Sequence, residues 1–374
     1  MAVDAPADLE EFSTELRAIK GASHSTLLAY QNALRLFMAY LTDIERSPNT
    51  VKAYAHDLKD WFGFLDLRGL DWREVRLEDL GEFVAWLRLP PAGRCGGVTM
   101  LPSAEHHCSA GTVNRKLSAV GGLYTFHARH GVDLGDLITE LQPAHRRRSG
   151  WKPFLYHLSN GEPERRRAIK LKAARKQPTI LTAGQVQAIL DACTRLRDRL
   201  LWALLWDTGI RIGEALGLRH EDLAAAEGEL TITPRANDNR ARAKSATPRT
   251  IPVSPEVVRL YADYLHDEYG DLDPDYVFVN LWGQPFGRPW GYPAVYDLVQ
   301  RLREATGVDF DPHWYRHTYA TRLLHKNTPI EVVSTLLGHS SITTTLDVYG
   351  HLSVEDARRA LEAAGFLTGQ EVRW

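Results

Sequence analysis

The chain has 374 residues, of which 44% are hydrophobic and 25% charged, and 45 basic residues against 47 acidic ones leave a formal net charge of −2. That length predicts two or three domains with a core each, and the composition excludes wholesale disorder, a fibrous repeat or a small stapled scaffold. Three cysteines (Cys95, Cys108, Cys193) cannot form a disulfide framework and suit a reducing cytosol. The longest strongly apolar stretch, Leu200 to Trp206, falls far short of the ~20 residues of a spanning helix. The start MAVDAPADLEEF lacks the basic end and apolar run of a signal peptide, so the cytoplasm is the expected location.

From Ser23 to Leu141 apolar residues recur at i, i+3, i+4 and i+7, which predicts helices. Ser47-Pro48-Asn49-Thr50 opens one of them. Ser47 or Asn49 can cap it, Pro48 is tolerated in the first turn, and Val51, Tyr54, Leu58, Trp61, Phe62 and Leu65 line one face. Leu77 to Leu87 and Ala110 to Arg129 read as further helices around the loop PPAGRCGGVTMLPSAEHHCS. Cys95, His106, His107 and Cys108 in and beside that loop match no common zinc spacing and read as surface residues. Ser23, Thr26, Ala29, Tyr30, Leu34, Phe37 and Leu41 recur 24 residues later as Ser47, Thr50, Ala53, Tyr54, Leu58, Trp61 and Leu65. Two copies do not make a solenoid, so the first copy reads as an added N-terminal helix.

Charge then becomes uneven. Between Gln142 and Pro178 eleven basic residues face only Glu162 and Glu164, a local charge of +9 suited to a polyanion and equally to a solvated linker. Beyond it, Thr182 caps the helix AGQVQAILDAC, and Arg199 to Trp206 predicts a buried helix. Leu230 to Pro234 and Arg249 to Val253 read as strands flanking a basic turn, with Tyr276 to Asn280 a third candidate. Helices dominate to the C-terminus.

Unusual polar residues accompany these apolar helices. Arg211 in DTGIRIGEALGL follows a glycine turn that feeds a helix start, where a planar guanidinium suits phosphate oxygens; a structural ion pair with Glu214 is the plainer reading. His313 and Arg316 in HWYRHTYATRLL lie one turn apart on one helix face. His317 adds a zinc-compatible spacing, but the glutamate a metalloprotease helix needs after its first histidine is replaced by Trp314. His339 follows Gly338 in LLGHSSITTTLDVYGH, and Tyr349 comes ten residues later. Each alone reads as an ordinary core residue.

In combination and in this order, Arg211, a hairpin lysine, His313-x-x-Arg316, Leu337-Gly338-His339 and Tyr349 resemble the tyrosine recombinase (phage integrase) family. The segments SPNTVKAYAHDLKDWFGFL and TVNRKLSAVGGLYTF are similar to its N-terminal core-binding domain. The resemblance implies a mainly α, two-domain clamp: a SAM-like helical core-binding domain and a mixed α+β catalytic domain with a small antiparallel sheet, embracing a duplex from opposite sides. The expected boundaries are an N-terminal helical extension over 1–46, the core-binding domain over 47–142, a basic linker over 143–178 and the catalytic domain over 179–374.

Residue roles follow from the resemblance. Arg211 and Arg316 would grip the non-bridging oxygens of a scissile phosphate, Tyr349 would attack it, and His313 and His339 would assist proton transfer. The turn RANDNRARAKSATPRTIPV lacks the family's glycine-rich form. Counting back from Ile251-Pro252 selects Lys244 as the general acid. Arg240 and Arg242 would replace it poorly, because a guanidinium does not release its proton near neutral pH. Further DNA contacts are expected from Arg165, Arg166, Arg167, Arg240, Arg242 and Arg249, with Glu214 and Asp207 orienting Arg211. Tyr315 and Tyr319 fall on other helix faces and read as packing.

The physical logic supports these roles. A phenol is only about 0.1% ionised at pH 7, so Tyr349 needs a base and positive charge beside it. Two arginines offset the charge that grows on the phosphorane, and the 3′-phosphotyrosyl product preserves the phosphodiester energy without metal or ATP. The implied partners are double-stranded recombination sites, accessory DNA-bending factors, and further copies of the chain in a synaptic tetramer, docked through a C-terminal helix near Ser353 to Ala363 and the tail LTGQEVRW. The added helix and long connector favour integration, excision or transposition of a mobile element over a host chromosome or plasmid resolvase. A type IB topoisomerase would carry lysine where His313 stands; a silent DNA-binding factor and a zinc hydrolase through His313 and His317 are the rivals from other classes.

Overall fold

The structure is a computed structural model and describes residues 24–94, 106–132, 139–142, 164–167, 169–173, 177–243 and 247–339. Two compact units divide the chain, Met1–Arg175 and Lys176–Trp374, and each has a core of its own.

Among the described residues, four helices build the first unit: α1 (His24–Asp43), α2 (Pro48–Arg68), α3 (Leu77–Arg88) and α4 (Ala110–Arg129). Ser47 wins the capping position of α2, its Oγ accepting from Thr50 N at 3.2 Å with Pro48 in the first turn. Leu58, Trp61, Phe62 and Leu65 of α2 are fully buried against Phe83 and Leu87 of α3 and Val120 and Leu123 of α4. The helix expected as an added extension is a full member of this core. Tyr30, Leu34, Phe37, Met38 and Leu41 of α1 are all buried, and Tyr30 Oη donates to Leu70 O at 2.6 Å. The repeated apolar stripe explains this, because a helix with the stripe of α2 has the same need to bury it. One ionic cluster lies inside: Asp57, wholly buried on α2, accepts from Arg115 and Lys116 of α4, and Lys116 also reaches Asp60 at 2.6 Å.

An antiparallel ribbon pairs β1 (Thr139–Gln142), which leads into the basic stretch, with β2 (Glu164–Arg167) inside it, in a register that places Thr139 opposite Arg167 and Gln142 opposite Glu164. Arg165, Arg166 and Arg167 lie on β2. Farther along, Asn114 of α4 grips the backbone of Leu171 like a strand partner, donating to its carbonyl and accepting from its N–H, both at 2.8 Å. Ile169 and Leu171 pack on the helical core, so the end of the connector belongs to the first unit.

In the second unit, Thr182 and Gln185 form a capping box at the start of α5 (Ala183–Ala192). Next come α6 (Leu196–Thr208), buried on nearly every side, and the single turn and a half of α7 (Ile212–Leu216). A three-stranded antiparallel meander follows: β3 (Leu223–Ala224), β4 (Glu229–Ile232) and β5 (Arg249–Pro252), with Leu230 opposite Ile251 and Ile232 opposite Arg249. The third strand is therefore Leu223–Ala224. Tyr276 to Asn280, the third strand candidate, is buried from Tyr276 through Val279 and makes isolated bridges, Arg219 with Tyr276 and Val279 with Pro289. It is threaded through the core, as its lack of alternation requires. The helices α8 (Pro255–Tyr264), α9 (Tyr292–Thr306), α10 (Pro312–His325) and α11 (Ile330–Leu337) complete the described part. None of the described helices is long and apolar enough to cross a membrane.

Candidate active site

Two helix ends and one buried arginine organise the site. The chain leaves α6 through Gly209 and leaves α11 through Gly338, both left-handed with φ of 63° and 62°. Each turn delivers a polar residue within two positions, Arg211 after the first and His339 after the second. Arg316 on α10, only 2% exposed, joins them: Nη1 donates to Gly209 O at 3.1 Å and Nη2 to Leu337 O at 2.6 Å. Carbonyls at helix C-termini carry partial negative charge, so they are natural seats for a guanidinium. Both glycines are held closely. A Cβ on Gly209 would run into the ring of Tyr319, and one on Gly338 would sit 2.7 Å from Arg249 Nη1.

Arg211 caps α7, and Glu214 holds it twice: the Arg211 N–H donates to Oε2 and Nη1 donates to Oε1, each at 2.9 Å. Its side chain stays 21% exposed while Glu214 is buried. Among the described residues its remaining guanidinium N–H groups meet no further acceptor. Arg249 is the residue misplaced by sequence reasoning. Expected among the DNA contacts, it points inward, its side chain 9% exposed, with Nη1 and Nη2 on Glu214 at 3.2 and 2.7 Å and Nε on Leu336 O at 3.0 Å. Burial raises the proton affinity of Glu214, but hydrogen bonding and charge from Arg249, and then from Arg211, hold it below the usual carboxylate range. Asp207, expected to orient Arg211, instead accepts from Ser254 N, just before α8 (Pro255–Tyr264), at 2.8 Å.

His339 reports how the charges converge. Burial, then the positive charges of Arg316, Arg211, Arg249 and His313, push its imidazole down to about 4, so it is neutral at neutral pH. His317 is likewise pushed to about 4, by burial and then by His313 and Arg316 against a small opposing effect of Asp311. The rings of His313 and His317 meet edge to face at 4.5 Å, and Asp311 caps α10 by accepting from His313 N at 2.8 Å.

The neighbouring tyrosines are packing groups. Tyr315 is fully buried between Trp202 and Phe310, burial drives its phenol pKa far up, and its hydroxyl meets no hydrogen-bond partner among the described residues. Tyr319 lies against Gly209 and is also raised by burial. Lys244 and Tyr349 lie outside the described residues, as do Cys95 and the segment Ser353 to Ala363.

The turn between β4 and β5, which gave no glycine signature, is built by asparagines. Asn239 Nδ2 donates to Leu216 O at 2.9 Å and Trp290 O at 2.7 Å, Ala241 N donates to Asn239 Oδ1 at 3.0 Å, and Asn237 Nδ2 donates to Ala241 O at 3.0 Å. Arg240, with a positive φ of 61°, and Arg242 are exposed. Arg240 lines a cavity of about 630 Å³ with Arg288, Asn280 and the start of α9.

Comparison with known proteins gives the family. Residues 179–356 match the phage integrase family, and residues 43–131 match the phage integrase N-terminal SAM-like domain. Transposase A from transposon Tn554 of Staphylococcus aureus is 38% identical over 324 residues, 86% of this chain and 88% of that protein. The chain belongs to the phage integrase family of tyrosine recombinases. Members of this family are DNA strand-transferring enzymes. The recombinase is also 27% identical over 332 residues to the tyrosine recombinase XerD of Corynebacterium glutamicum, covering 85% of this chain and 92% of that one. Its fold is shared with the Tn1549 transposon integrase solved in complex with transposon right end DNA, at a TM-score of 0.58 and 19% identity over 89% of this chain and 99% of that chain.

Proposed function

We propose that this recombinase cuts and rejoins duplex DNA at specific sites to move a mobile element. The observation that carries the reading is the bridge made by Arg316, which fixes the turns of Arg211 and His339 to one point and concentrates positive charge there. Such a site suits the trigonal-bipyramidal phosphorane, whose extra negative charge the two arginines offset at a gain of ~10²–10³ per well-placed donor. Tyr349 Oη attacks phosphorus, the bond to the 5′ oxygen breaks, and Lys244 supplies the proton that the leaving oxygen takes up. Neutral His339, with His313, accepts or relays the tyrosyl proton. The strand is held as a 3′-phosphotyrosyl ester until a second 5′ hydroxyl reverses the step.

The greater identity to a transposase, 38% against 27% for XerD, favours transposition over resolution. The working form is a tetramer assembled on two DNA sites in the cytoplasm, with accessory bending proteins. Arg165, Arg166, Arg167, Arg240 and Arg242 contribute backbone contacts that carry no sequence information.

The test is a plasmid bearing the gene with its native flanking DNA, probed for the junction of an excised circle. Wild-type protein should yield the junction and Tyr349→Phe should not. Conversion of plasmid dimers to monomers, with the flanks unchanged, would replace the mobile-element reading with a resolvase.

A further inference from the structure

The described residues offer three features outside the proposed chemistry. A groove of about 660 Å³ in the first unit is lined by Tyr40, Tyr54, Phe126, Arg46 and Arg129, and Trp282 and Phe286 lie exposed in the second. Neither is tied by any observation to a particular occupant. Arg249 is different, because every nitrogen of its side chain has a stated acceptor and each acceptor leads to the site.

We infer that Arg249 is a positioning residue for strand cleavage, which keeps the Arg211 guanidinium available to the scissile phosphate and fixes the turn that presents His339. This rests on the proposed role of Arg211 at the phosphate. Glu214 has two carboxylate oxygens and faces two guanidinium groups. Oε1 takes Nη1 of both arginines, at 2.9 Å from Arg211 and 3.2 Å from Arg249, and Oε2 takes Arg249 Nη2 at 2.7 Å with the Arg211 backbone N–H at 2.9 Å. Arg249 thus occupies the fork that a carboxylate otherwise offers to a single guanidinium. Without it, buried Glu214 has Arg211 as its only cation among these contacts and draws it into a two-pronged pair, neutralising the charge meant for substrate.

The second arm acts on the other turn. Arg249 Nε holds Leu336 O at 3.0 Å, and the guanidinium lies so close under Gly338 that a Cβ there would be 2.7 to 2.9 Å from Nη1, Cζ and Nε. A flat, rigid, permanently charged group fills this slot, whereas lysine would make a single point contact. Arg249 opens β5, so the sheet supplies the rigid base from which both turns are held.

The experiment compares cleavage of two suicide duplexes, selected by covalent capture on wild-type protein, that differ only at the scissile position: a normal phosphate or an uncharged methylphosphonate. Replacing a charged oxygen with methyl removes the need for arginine charge while leaving folding requirements untouched. On the phosphate duplex, Arg211→Ala and Arg249→Gln should each lose about 10²-fold or more in covalent adduct, the scale of one charge-stabilising donor. On the methylphosphonate both should come back to within about tenfold of wild type. Arg249→Lys, which keeps charge and most of the volume, should melt like wild type, lose cleavage on the phosphate and recover in the same way; this variant decides the matter should Arg249→Gln fold poorly. Recovery by Arg211→Ala without recovery by either Arg249 variant overturns the inference, as does wild-type cleavage of the phosphate by both. Failure of Arg211→Ala itself to recover overturns the underlying reading of Arg211.

Discussion

Arg316 Nη2 donates to the main-chain oxygen of Leu337 at 2.6 Å, and through this bond a residue of α10 determines where the turn at Gly338 puts His339. The same guanidinium holds Gly209 O at 3.1 Å, so one buried side chain sets the distance between two turns far apart in sequence.

Arg316→Ala strips two carbonyls of a charged donor, and each buried acceptor left unpaired costs roughly 1–3 kcal/mol. Thermal melting of the second unit should fall by several degrees, since ~1 kcal/mol shifts Tm by about 2–4 °C in a domain of this size. Arg316→Lys keeps the charge but cannot span both acceptors. It should lose adduct formation with a much smaller drop in Tm, and equal loss of both would contradict the bridging role.

Stability should depend on pH through His317 and His339. Both are pushed down to about 4 in the folded protein, below the ordinary histidine value of about 6.5. The unfolded chain therefore binds more protons between these values. The stabilisation is complete above about pH 6.5 and is lost as pH falls toward 4. The lowered carboxyl of Glu214 adds a further loss in acid. Urea titrations of His317→Gln should show a shallower decline than wild type between pH 6.5 and 4.5; superimposable declines would mean that His317 titrates normally.

Gly209 and Gly69 provide a controlled pair. Their φ angles are 63° and 64°, but a Cβ on Gly69 would meet no atom within 4 Å, whereas on Gly209 it strikes Tyr319. Gly69→Ala should cost only the left-handed penalty of about 1–2 kcal/mol. Gly209→Ala should add an overpacking cost of roughly 1–3 kcal/mol and impair cleavage, because the displaced turn carries Arg211. Similar urea midpoint shifts for the two would argue against a tight Gly209 turn.

Removing residues 1–44 tests the place of α1. Deleting a mere extension would leave the first unit intact. Loss of Tyr30, Phe37 and Met38, each at most 2% exposed, should instead abolish its cooperative unfolding as followed by tryptophan fluorescence.

The helices were legible because their signals are local: Ser47-Pro48 caps α2, Thr182 and Gln185 cap α5, and the apolar stripe of Leu58, Trp61 and Leu65 faces inward. Arg211, Arg316 and His339 could be singled out as a group because their order along the chain is distinctive, although no single one stood out, and the structure brings the turns of Arg211 and His339 onto Arg316. What stayed hidden depends on contacts between distant segments. Nothing near Arg249 signals that Glu214, 35 residues earlier, will claim it, and Asp207 gives no hint that Ser254 is its partner. Tyr276 to Asn280 has the composition of a strand, and only the three-dimensional core shows it threaded between other segments. The echo between α1 and α2 did carry the right information: the first copy buries its stripe in the same core as the second.

The central claim is that Tyr349 forms a covalent link to DNA. The most direct measurement incubates wild type and Tyr349→Phe with nicked suicide duplexes made from the DNA flanking the gene, and resolves covalent protein–DNA species under denaturing conditions. A band in wild type that is absent from Tyr349→Phe is the predicted result. A band of equal strength in Tyr349→Phe would contradict it and move the nucleophile to another residue.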